Sequence, residues 1–259
     1  MYSKKFSSKV AIVTGSSCGI GQGIALLLAQ QGAAVTIHGR SLEGLEETFK
    51  LITDSGVSAS KVLQVQGDIS DATVAEKLIG DTVAKFGKLD VLVNNAAVLT
   101  NKSLSDEDAF DQIMAINVKS VVRLNKLAVP HLEKTKGNII NVSSVASMRV
   151  FSGETFYAMT KIALDHYMRH EAAELAKKGI RMNNLNPGII RTKLLTRTGI
   201  SKDDFDKMAD GWAEQMCPLR RTGTAREMAT VVAFLASDDA SYVTGTTIVA
   251  DGGLLLGSQ

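Results

Sequence analysis

The sequence predicts an α/β fold, a doubly wound parallel sheet with helices on both faces. Short β-branched, apolar runs alternate with helical patterns along almost the whole 259-residue chain. The runs are apolar throughout, which is typical of strands covered on both faces. No linker rich in proline, glycine and serine interrupts the alternation, and the sequence has only three prolines. We therefore expect one domain over residues 1–259.

The elements are predicted in chain order as follows. The strands are Lys9–Thr14, Ala34–His38, Val62–Gln66, Asp90–Val93, Gly137–Val142, Ile180–Asn186 and Thr246–Ala250. The helices between them span about 19–31, 41–55, 71–86, 105–133, 154–178 and 224–236. A long connection then holds a further helix near 202–216 with Met208, Trp212 and Met216. Long connections often form lids, so a substrate lid is expected at about 190–220; alternatively, this helix only packs on the domain.

Composition excludes several classes of protein. An apolar content of 45% and a charged content of 22% are typical of a globular chain, not of a disordered one. The net charge of +2 gives no indication of nucleic acid or of an acidic membrane surface as a partner. The two cysteines, Cys18 and Cys217, favour a reducing compartment. The sequence contains neither a signal-peptide pattern nor an apolar run of about 18 residues, so the cytoplasm is expected.

The first predicted strand runs into a glycine-rich turn, Thr14-Gly-Ser-Ser-Cys-Gly-Ile-Gly21, and then into an apolar helix. Glycine lets the backbone turn sharply beside a pyrophosphate, and a helix N-terminus supplies unpaired N–H groups and a positive dipole. The spacing differs from the commoner G-x-G-x-x-G, and such a turn can also be purely structural. Its place after the first strand and before a helix favours a dinucleotide site.

The end of the second strand indicates which nicotinamide cofactor binds. An acidic residue there favours NAD, whereas an arginine accommodates the 2′-phosphate of NADP. The sequence has His38-Gly-Arg-Ser41 and no carboxylate before Glu43. We therefore expect NADP(H), with its phosphate bound by Arg40; the alternative is an exposed arginine at a helix start. Asp68 either accepts from the adenine amino group or forms a turn at a helix start.

Other polar residues are predicted at the same edge of the sheet. Tyr157 and Lys161 are four residues apart in a helical segment, so they share a face. The fifth strand ends in Asn141-Val-Ser-Ser144 and the fourth in Asn94-Asn-Ala-Ala97. Ligands of open α/β sheets bind at the carboxyl ends of the strands. This pattern places a phenol, an ammonium and a hydroxyl beside the expected nucleotide.

At this point the chain resembles the short-chain dehydrogenases/reductases of the single-domain branch, over essentially its whole length. Thr14–Gly21 resembles TGxxxGIG, and Asn94-Asn-Ala-Ala97 resembles NNAG with Ala97 in place of the last glycine. The other four matches are a mid-helix Asn117, Ser144 thirteen residues before Tyr157, Tyr157-x-x-x-Lys161, and Pro187-Gly-Ile-Ile-Arg-Thr192 for PGxxxT. Members resembling tropinone reductases and 3-oxoacyl-carrier-protein reductases share this layout.

The resemblance implies a Rossmann-type sheet of about seven strands in the order 3-2-1-4-5-6-7. It also implies a homotetramer or homodimer in which helices 105–133 and 154–178 form the common contact. The catalytic residues that it implies are Asn117, Ser144, Tyr157 and Lys161. The cofactor-binding residues expected from the motifs are Gly15, Ser17, Gly19, Ile20, Gly21, Arg40, Asp68, Ile69, Asn95, Ala96, Tyr157, Lys161, Pro187, Gly188, Ile190 and Thr192.

The family implies a role for each catalytic residue. Tyr157 would give a proton to the carbonyl oxygen in reduction, and Lys161 with oxidised nicotinamide would lower the pKa of its phenol. Lys161 would also hold the nicotinamide ribose. Ser144 would orient the substrate oxygen, although Ser143 adjoins it and only the thirteen-residue interval selects Ser144. Asn117 would anchor a water of the proton relay.

We therefore expect an NADP(H)-dependent oxidoreductase that transfers a hydride between nicotinamide and a small carbonyl or alcohol substrate. The alternative is an NADP-binding redox sensor or scaffold without turnover; a nucleotide-sugar epimerase would need a longer chain. His166 and His170 are spaced like a metal pair, but no third ligand is apparent and no metal is expected. An apolar substrate pocket is expected from Val145, Met148, Phe151, Phe156, Leu194, Leu195, Met208 and Trp212.

Overall fold

The computed structural model describes residues 4–192 and 201–257. Its strands are β1 (Val10–Val13), β2 (Ala34–Gly39), β3 (Val62–Gln66), β4 (Val91–Asn94), β5 (Asn138–Val142), β6 (Arg181–Pro187) and β7 (Thr247–Ala250). They form one parallel sheet of seven strands in the order β3-β2-β1-β4-β5-β6-β7. The predicted fold class and strand order are therefore confirmed.

The α-helices of the described residues lie close to their predicted positions. They are α1 (Gly19–Gln30), α2 (Leu42–Asp54), α3 (Ala72–Phe86), α4 (Asp106–Met114), α5 (Ser120–Thr135), α6 (Thr155–Ala176), α7 (Lys202–Met216) and α8 (Ala225–Ala236). The helix predicted over 105–133 differs, because a π-helical turn, Ala115–Lys119, separates α4 from α5. The extra residue of a π turn is invisible to the 3.6-residue apolar period, which continues on both sides.

The apolar core lies in two layers, one on each face of the sheet. Ala11 and Val13 of β1 belong to the layer covered by α1, α2 and α8. Ile12, between them, points the other way into the layer covered by α3, α5 and α6. Successive side chains of a strand point to opposite faces, so a strand buried on both sides must be apolar at every position. This explains the continuous apolar runs of the sequence.

The predicted lid segment is described only in part. α7 has the same bounds as the helix predicted near 202–216, whereas residues 193–200 lie outside the described residues. Arg191 contacts α7 through Asp210 and donates from Nε to Thr222 Oγ1 at 3.1 Å, which ties α7 to the chain after β6. Within residues 4–192 and 201–257, no helix has the length and apolar character that crossing a bilayer requires.

Candidate active site

A cleft of about 1070 Å³, measured out to open solvent, lies at the carboxyl edge of the sheet. Its walls are the segments that follow β1 to β6, because parallel strands end at one edge and their connections meet there. The predicted cofactor-binding and catalytic residues line this cleft, apart from Gly21 and Asn117. Positions spread over 178 residues of sequence, from Gly15 to Thr192, are thus brought to one place.

The glycine-rich turn has the backbone that its glycines favour. Gly15 and Gly19 have φ angles of +64° and +61°, in the left-handed region. A Cβ on Gly21 would lie 2.4 Å from Asn95 Nδ2 and from the Gly15 carbonyl oxygen, so Gly21 allows close packing under the turn. Cys18, the N-cap residue of α1, makes no side-chain hydrogen bond to the first helical turn. The first N–H groups of any α-helix have no acceptor within the helix, and this end of α1 lies at the cleft, which fits a pyrophosphate.

Thr14 and Asn95 fix the start of this turn through hydrogen bonds. Thr14 Oγ1 accepts from the backbone N–H groups of Asn95 and Ala96, both at 3.0 Å. Asn95 Nδ2 donates to the carbonyl oxygens of Thr14 and Gly15 at 2.9 and 3.0 Å. These four hydrogen bonds join the ends of β1 and β4. Thr14 was not among the predicted site residues, although it opens the glycine-rich motif.

His38 is a residue of the cleft that the sequence analysis missed. It is 2% exposed and accepts from the Gly15 N–H at Nδ1, at 3.3 Å. Burial lowers the pKa of His38 to about 4, although the Gly67 carbonyl and the charge of Asp68 act in the opposite direction. A neutral imidazole is required for this contact, because a protonated ring has no acceptor. The adjacent Gly39-Arg40 motif could have drawn attention to it.

Arg40 and Asp68 meet where β2 and β3 end. Arg40 Nη1 lies 3.7 Å from Asp68 Oδ2, and the Arg40 side chain is 54% exposed. Burial raises the pKa of Asp68, but hydrogen bonds from Ser70 and the charges of Arg40 and His38 outweigh burial and hold it below its usual value. Asp68 Oδ1 accepts from Ser70 N at 2.9 Å, so the predicted turn is present. The guanidinium keeps donors available toward the cleft, which both residues line.

Tyr157, Lys161 and Ser144 also line the cleft. Lys161 is 2% exposed, its Nζ donates to the Val142 carbonyl at 2.9 Å, and it lies 5.4 Å from the centroid of the Tyr157 ring. The Ser144 hydroxyl acts on the Tyr157 phenol and lowers its pKa. Ser143 Oγ instead donates to the Lys161 carbonyl at 3.1 Å, which leaves Ser144 as the serine beside the phenol.

Burial shifts the pKa values of Tyr157 and Lys161 in opposite directions. Burial raises the pKa of Tyr157 to about 12; the hydrogen bond from Ser144 lowers it and the charge of Glu154 raises it further. Burial lowers the pKa of Lys161 to about 8, while Asp165 raises it. In the chain alone desolvation of the phenolate dominates, and the predicted lowering by Lys161 together with oxidised nicotinamide stays a prediction.

Asn117 lies behind the cleft, inside the π turn between α4 and α5. Its Oδ1 accepts from Val98 N and its Nδ2 donates to Val98 O, both at 2.9 Å. Nδ2 also lies 3.1 Å from Thr160 Oγ1, whose hydroxyl donates to the Tyr157 carbonyl at 2.7 Å. The side chain of Asn117 thus joins the segment after β4 to the helix of Tyr157, and both hydrogens of its amide are used in these contacts.

The segment after β6 closes the cleft. A Cβ on Gly188 would lie 2.6 Å from Asp251 Cα, so only glycine lets this segment pass the chain that follows β7. Thr192 packs against Gly19, where an added Cβ would lie 3.1 Å from Thr192 Cβ. Ile190 pairs with Gly223 in an isolated parallel bridge. These contacts bring Pro187, Gly188, Ile190 and Thr192 to the wall of the cleft, with Thr192 beside the glycine-rich turn.

The expected apolar substrate pocket is not assembled as predicted. Val145 is buried in a small cluster with Ala213, Cys217 and Leu254, against which Phe151 packs. Phe156 packs edge-on against Phe110, with ring centroids 5.5 Å apart. Met148 and Trp212 are exposed, at 50% and 38%, and none of these side chains lines the described cleft. Leu194 and Leu195 lie outside the described residues.

The histidine pair of α6 is in contact. His170 Nε2 and His166 Nε2 are 3.1 Å apart, and their rings pack edge to face with centroids 4.7 Å apart. Among the described residues, no group of three or more His, Cys, Asp and Glu side chains could hold a metal ion. The pair is explained as a hydrogen bond between two imidazoles on an exposed helix face.

Comparison with known proteins bears on this site. A family model described as enoyl-(acyl carrier protein) reductase matches residues 15–255. The chain belongs to the short-chain dehydrogenase/reductase family. Tropinone reductase-like 3 of Erythroxylum coca is 36% identical over 98% of this chain and 95% of its own length. The 3-oxoacyl-[acyl-carrier-protein] reductase FabG of Thermotoga maritima is 34% identical over 97% of this chain and its full length.

A solved structure extends the likeness to three dimensions. It is a short-chain dehydrogenase/reductase of unknown function from Caenorhabditis elegans, determined with cofactor. It has a TM-score of 0.92 and 39% identity, and the match covers 97% of each chain. As a short-chain dehydrogenase/reductase, this chain is an oxidoreductase that uses a nicotinamide cofactor on a small-molecule substrate, at the level of the family.

Proposed function

We propose that this protein is an NADP(H)-dependent oxidoreductase that interconverts a small carbonyl compound and its alcohol, with Tyr157 as the acid/base. The observation that carries the proposal is the convergence of Tyr157, Lys161 and Ser144 in the cleft that the glycine-rich turn also lines. A phenol that shares a cleft with a dinucleotide site can exchange a proton with an oxygen held there.

Tyr157 serves as the proton donor in reduction. With a pKa of about 12 in the chain alone, the phenol keeps its proton at neutral pH and can give it to a carbonyl oxygen. In oxidation the same oxygen must accept a proton, and the Lys161 ammonium beside the ring stabilises the phenolate that this requires. Ser144, whose hydroxyl lowers the pKa of the phenol, orients the substrate oxygen and stabilises negative charge on it.

The residues that line the cleft fit NADP(H). The uncapped start of α1 and the positive-φ glycines fit the pyrophosphate, and the exposed guanidinium of Arg40 fits the 2′-phosphate. Asp68 and Ile69 border the adenine end, and Pro187, Gly188, Ile190 and Thr192 border the nicotinamide end together with Lys161. When bound, the cofactor supplies or accepts the hydride. Cys18 lines the cleft where a second cation would further favour NADP, so Arg40 holds the phosphate alone.

We propose a ketone or aldehyde as the substrate, or the corresponding alcohol. The relatives named as a tropinone-reductase-like protein and a 3-oxoacyl-[acyl-carrier-protein] reductase support a carbonyl carbon as the reacting centre. The segment at about 190–220, which includes α7, serves as the lid, and its Met208 and Trp212 become part of the pocket when it closes.

Assembly and location are part of the same proposal. α6 carries two exposed apolar side chains, Met159 and Ile162, at 45% and 46% exposure, which fits a helix covered by a second copy. We propose a homodimer or homotetramer through α5 and α6, acting in the cytoplasm as one domain. Light scattering on a sizing column measures the mass; a monomer at micromolar concentration contradicts the assembly.

The experiment that tests the proposal is a turnover assay. NADPH oxidation is followed with a panel of ketones and aldehydes, and NADP⁺ reduction with the matching alcohols. We expect turnover of at least one carbonyl class and faster turnover with NADPH than with NADH. A protein that binds NADPH tightly and turns over no member of the panel would instead be a sensor or scaffold.

A further inference from the structure

A buried carboxylate, Asp165, lies behind the proposed catalytic pair. It is on α6, four residues after Lys161, and it is 1% exposed. Among the described residues, no cation lies within ion-pair distance of it. A buried charge is costly unless it is hydrogen-bonded and compensated, so its partners should explain why it is present.

Asp165 is held by three neutral donors. Its Oδ1 accepts from Asn184 Nδ2 at 2.8 Å, and its Oδ2 accepts from Asn186 Nδ2 at 2.9 Å and from Ser147 Oγ at 2.5 Å. Such bonds stabilise the ionised carboxylate but leave its charge in place. The positive charge that acts on the same turn of helix is the Lys161 ammonium, which is buried and has the Val142 carbonyl as its protein acceptor. Each charge of this helical turn therefore compensates the other.

The donors of Asp165 belong to the elements that carry the rest of the site. Ser147 ends the short 3-10 turn, Val145–Ser147, whose N-cap is Ser144. Asn186 comes directly before the Pro187-Gly188 segment of the cleft wall. Asn186 Nδ2 also donates to Ser147 Oγ at 2.9 Å, which closes a ring of contacts around the carboxylate. One carboxylate thus joins α6, the turn after β5 and the end of β6.

An asparagine row continues from this cluster across the sheet. Asn94, Asn141 and Asn184 are paired in register on β4, β5 and β6. Asn94 Nδ2 donates to Asn141 Oδ1, and Asn141 Nδ2 donates to Asn184 Oδ1, both at 2.9 Å. Each amide fixes the orientation of the next, so the amide that Asn184 presents to Asp165 is held in place by the strands themselves.

We propose that Asp165 is a positioning residue of the reaction, which keeps Lys161 charged and holds Ser144 and the Pro187-Gly188 segment in place around the reacting centre. The inference rests on the proposed function of Tyr157 and Lys161. The groups that face Asp165 from the turn after β5 and from β6 are the neutral Ser147, Asn184 and Asn186. The other titratable groups beside Lys161 are Tyr157 and, through its charge on that phenol, Glu154.

Asp165→Asn tests the proposal, since it keeps the shape of the side chain and removes its charge. Without the carboxylate, the pKa of Lys161 falls further below about 8, and the amine loses its proton near neutral pH. The phenolate of Tyr157 then forms less readily, so the acid limb of the kcat/KM profile for alcohol oxidation moves to higher pH by about one unit. At pH 7 kcat falls by about tenfold, whereas the Kd of NADPH changes little.

Ser147→Ala is the matched control, because it removes a donor and leaves the carboxylate. We expect a lower kcat from a looser Ser144 turn and an unmoved pH profile. A profile of Asp165→Asn that coincides with that of the wild type, or differs from it only in height, would overturn the charge role. If Asp165→Asn does not fold, Ser147→Ala tests the positioning role of Asp165 by itself. A wild-type kcat in Ser147→Ala would then overturn that role.

A second readout does not depend on turnover. NMR titration of ¹³C-lysine-labelled protein, with the Lys161 signal assigned through Lys161→Arg, gives the pKa of Lys161 with and without Asp165. A lower pKa in Asp165→Asn is expected, and an equal pKa contradicts the inference. Absence of turnover in the wild type would count against the proposed function instead, so the two failures are distinguishable.

Discussion

His38 Nδ1 accepts a hydrogen bond from the backbone N–H of Gly15, at 3.3 Å, and so joins the end of β2 to the first glycine of the nucleotide turn. The contact needs a neutral, buried imidazole. It explains how a turn with little side-chain material of its own is held in one conformation. It also gives the turn a dependence on pH.

Acid should weaken the protein through His38. The pKa of His38 is about 4 in the folded chain and about 6.5 when unfolded, so between these values the unfolded chain binds the extra proton. Stability is fully present above pH 6.5 and is lost as pH falls toward 4, by about 3 kcal/mol for this group. Urea unfolding at pH 7 and pH 4 should show a smaller drop for His38→Gln. Equal drops in the two proteins would contradict the assignment.

Gly21→Ala should disrupt the cofactor end. Its Cβ would lie 2.4 Å from Asn95 Nδ2 and from the Gly15 oxygen, so the turn must shift away from its support. We expect the affinity for NADPH, measured by calorimetry, to fall by at least about tenfold, since strain of 1–3 kcal/mol enters the binding site. Gly80→Ala on α3 is the control, because a Cβ there meets nothing within 4 Å. It should bind NADPH normally and be more stable, by about 1 kcal/mol.

Arg40→Asp should change the cofactor preference. The variant loses the guanidinium and gains a carboxylate that repels the 2′-phosphate and can accept from a ribose hydroxyl. We expect kcat/KM for NADPH to fall by about 10- to 100-fold while that for NADH is maintained or rises. Lys50→Asp makes the same change of charge on α2, where Lys50 pairs with Asp54, and should leave the ratio unchanged. An unaltered NADPH/NADH ratio in Arg40→Asp would remove Arg40 from the phosphate site.

Trp212 should report lid closure. It is the single tryptophan of the sequence and is 38% exposed on α7. If the 190–220 segment closes over substrate, the indole moves into a drier environment and its emission shifts to shorter wavelength. The measurement is a titration of the NADP⁺ complex of Tyr157→Phe with alcohol, so that binding is seen without turnover. An emission spectrum that does not respond at saturating substrate would count against closure.

The fold and the common position of Tyr157 and Lys161 at the cleft were predictable because their signals are local. Each apolar run lies within one strand, and the tyrosine four residues before a lysine lies within one helix. The geometry of that strand or helix determines the direction of the side chains. The Asp165 cluster was not predictable, because Ser147 and Asn186 reach it from positions 18 and 21 residues away. In the sequence, a neutral polar residue gives no indication that it will hydrogen-bond to a carboxylate so far along the chain.

Apolar residues near the site were misread for a related reason. Val145 and Phe156 have the composition of a substrate wall, yet one is buried under α7 and the other packs on Phe110. The composition of a segment indicates that a side chain is apolar. It does not indicate which part of the protein covers that side chain. A neighbouring ammonium is visible in the sequence, whereas the burial that raises the pKa of Tyr157 is visible only in the fold.

The central claim is that Tyr157 is the acid/base, and Tyr157→Phe tests it most directly. NADPH binding and turnover are measured on the same preparation, with Tyr167→Phe on the same helix as control. We expect kcat to fall by about 10²- to 10⁴-fold in Tyr157→Phe with NADPH affinity retained, and near wild-type kcat in Tyr167→Phe. Wild-type turnover in Tyr157→Phe would contradict the account.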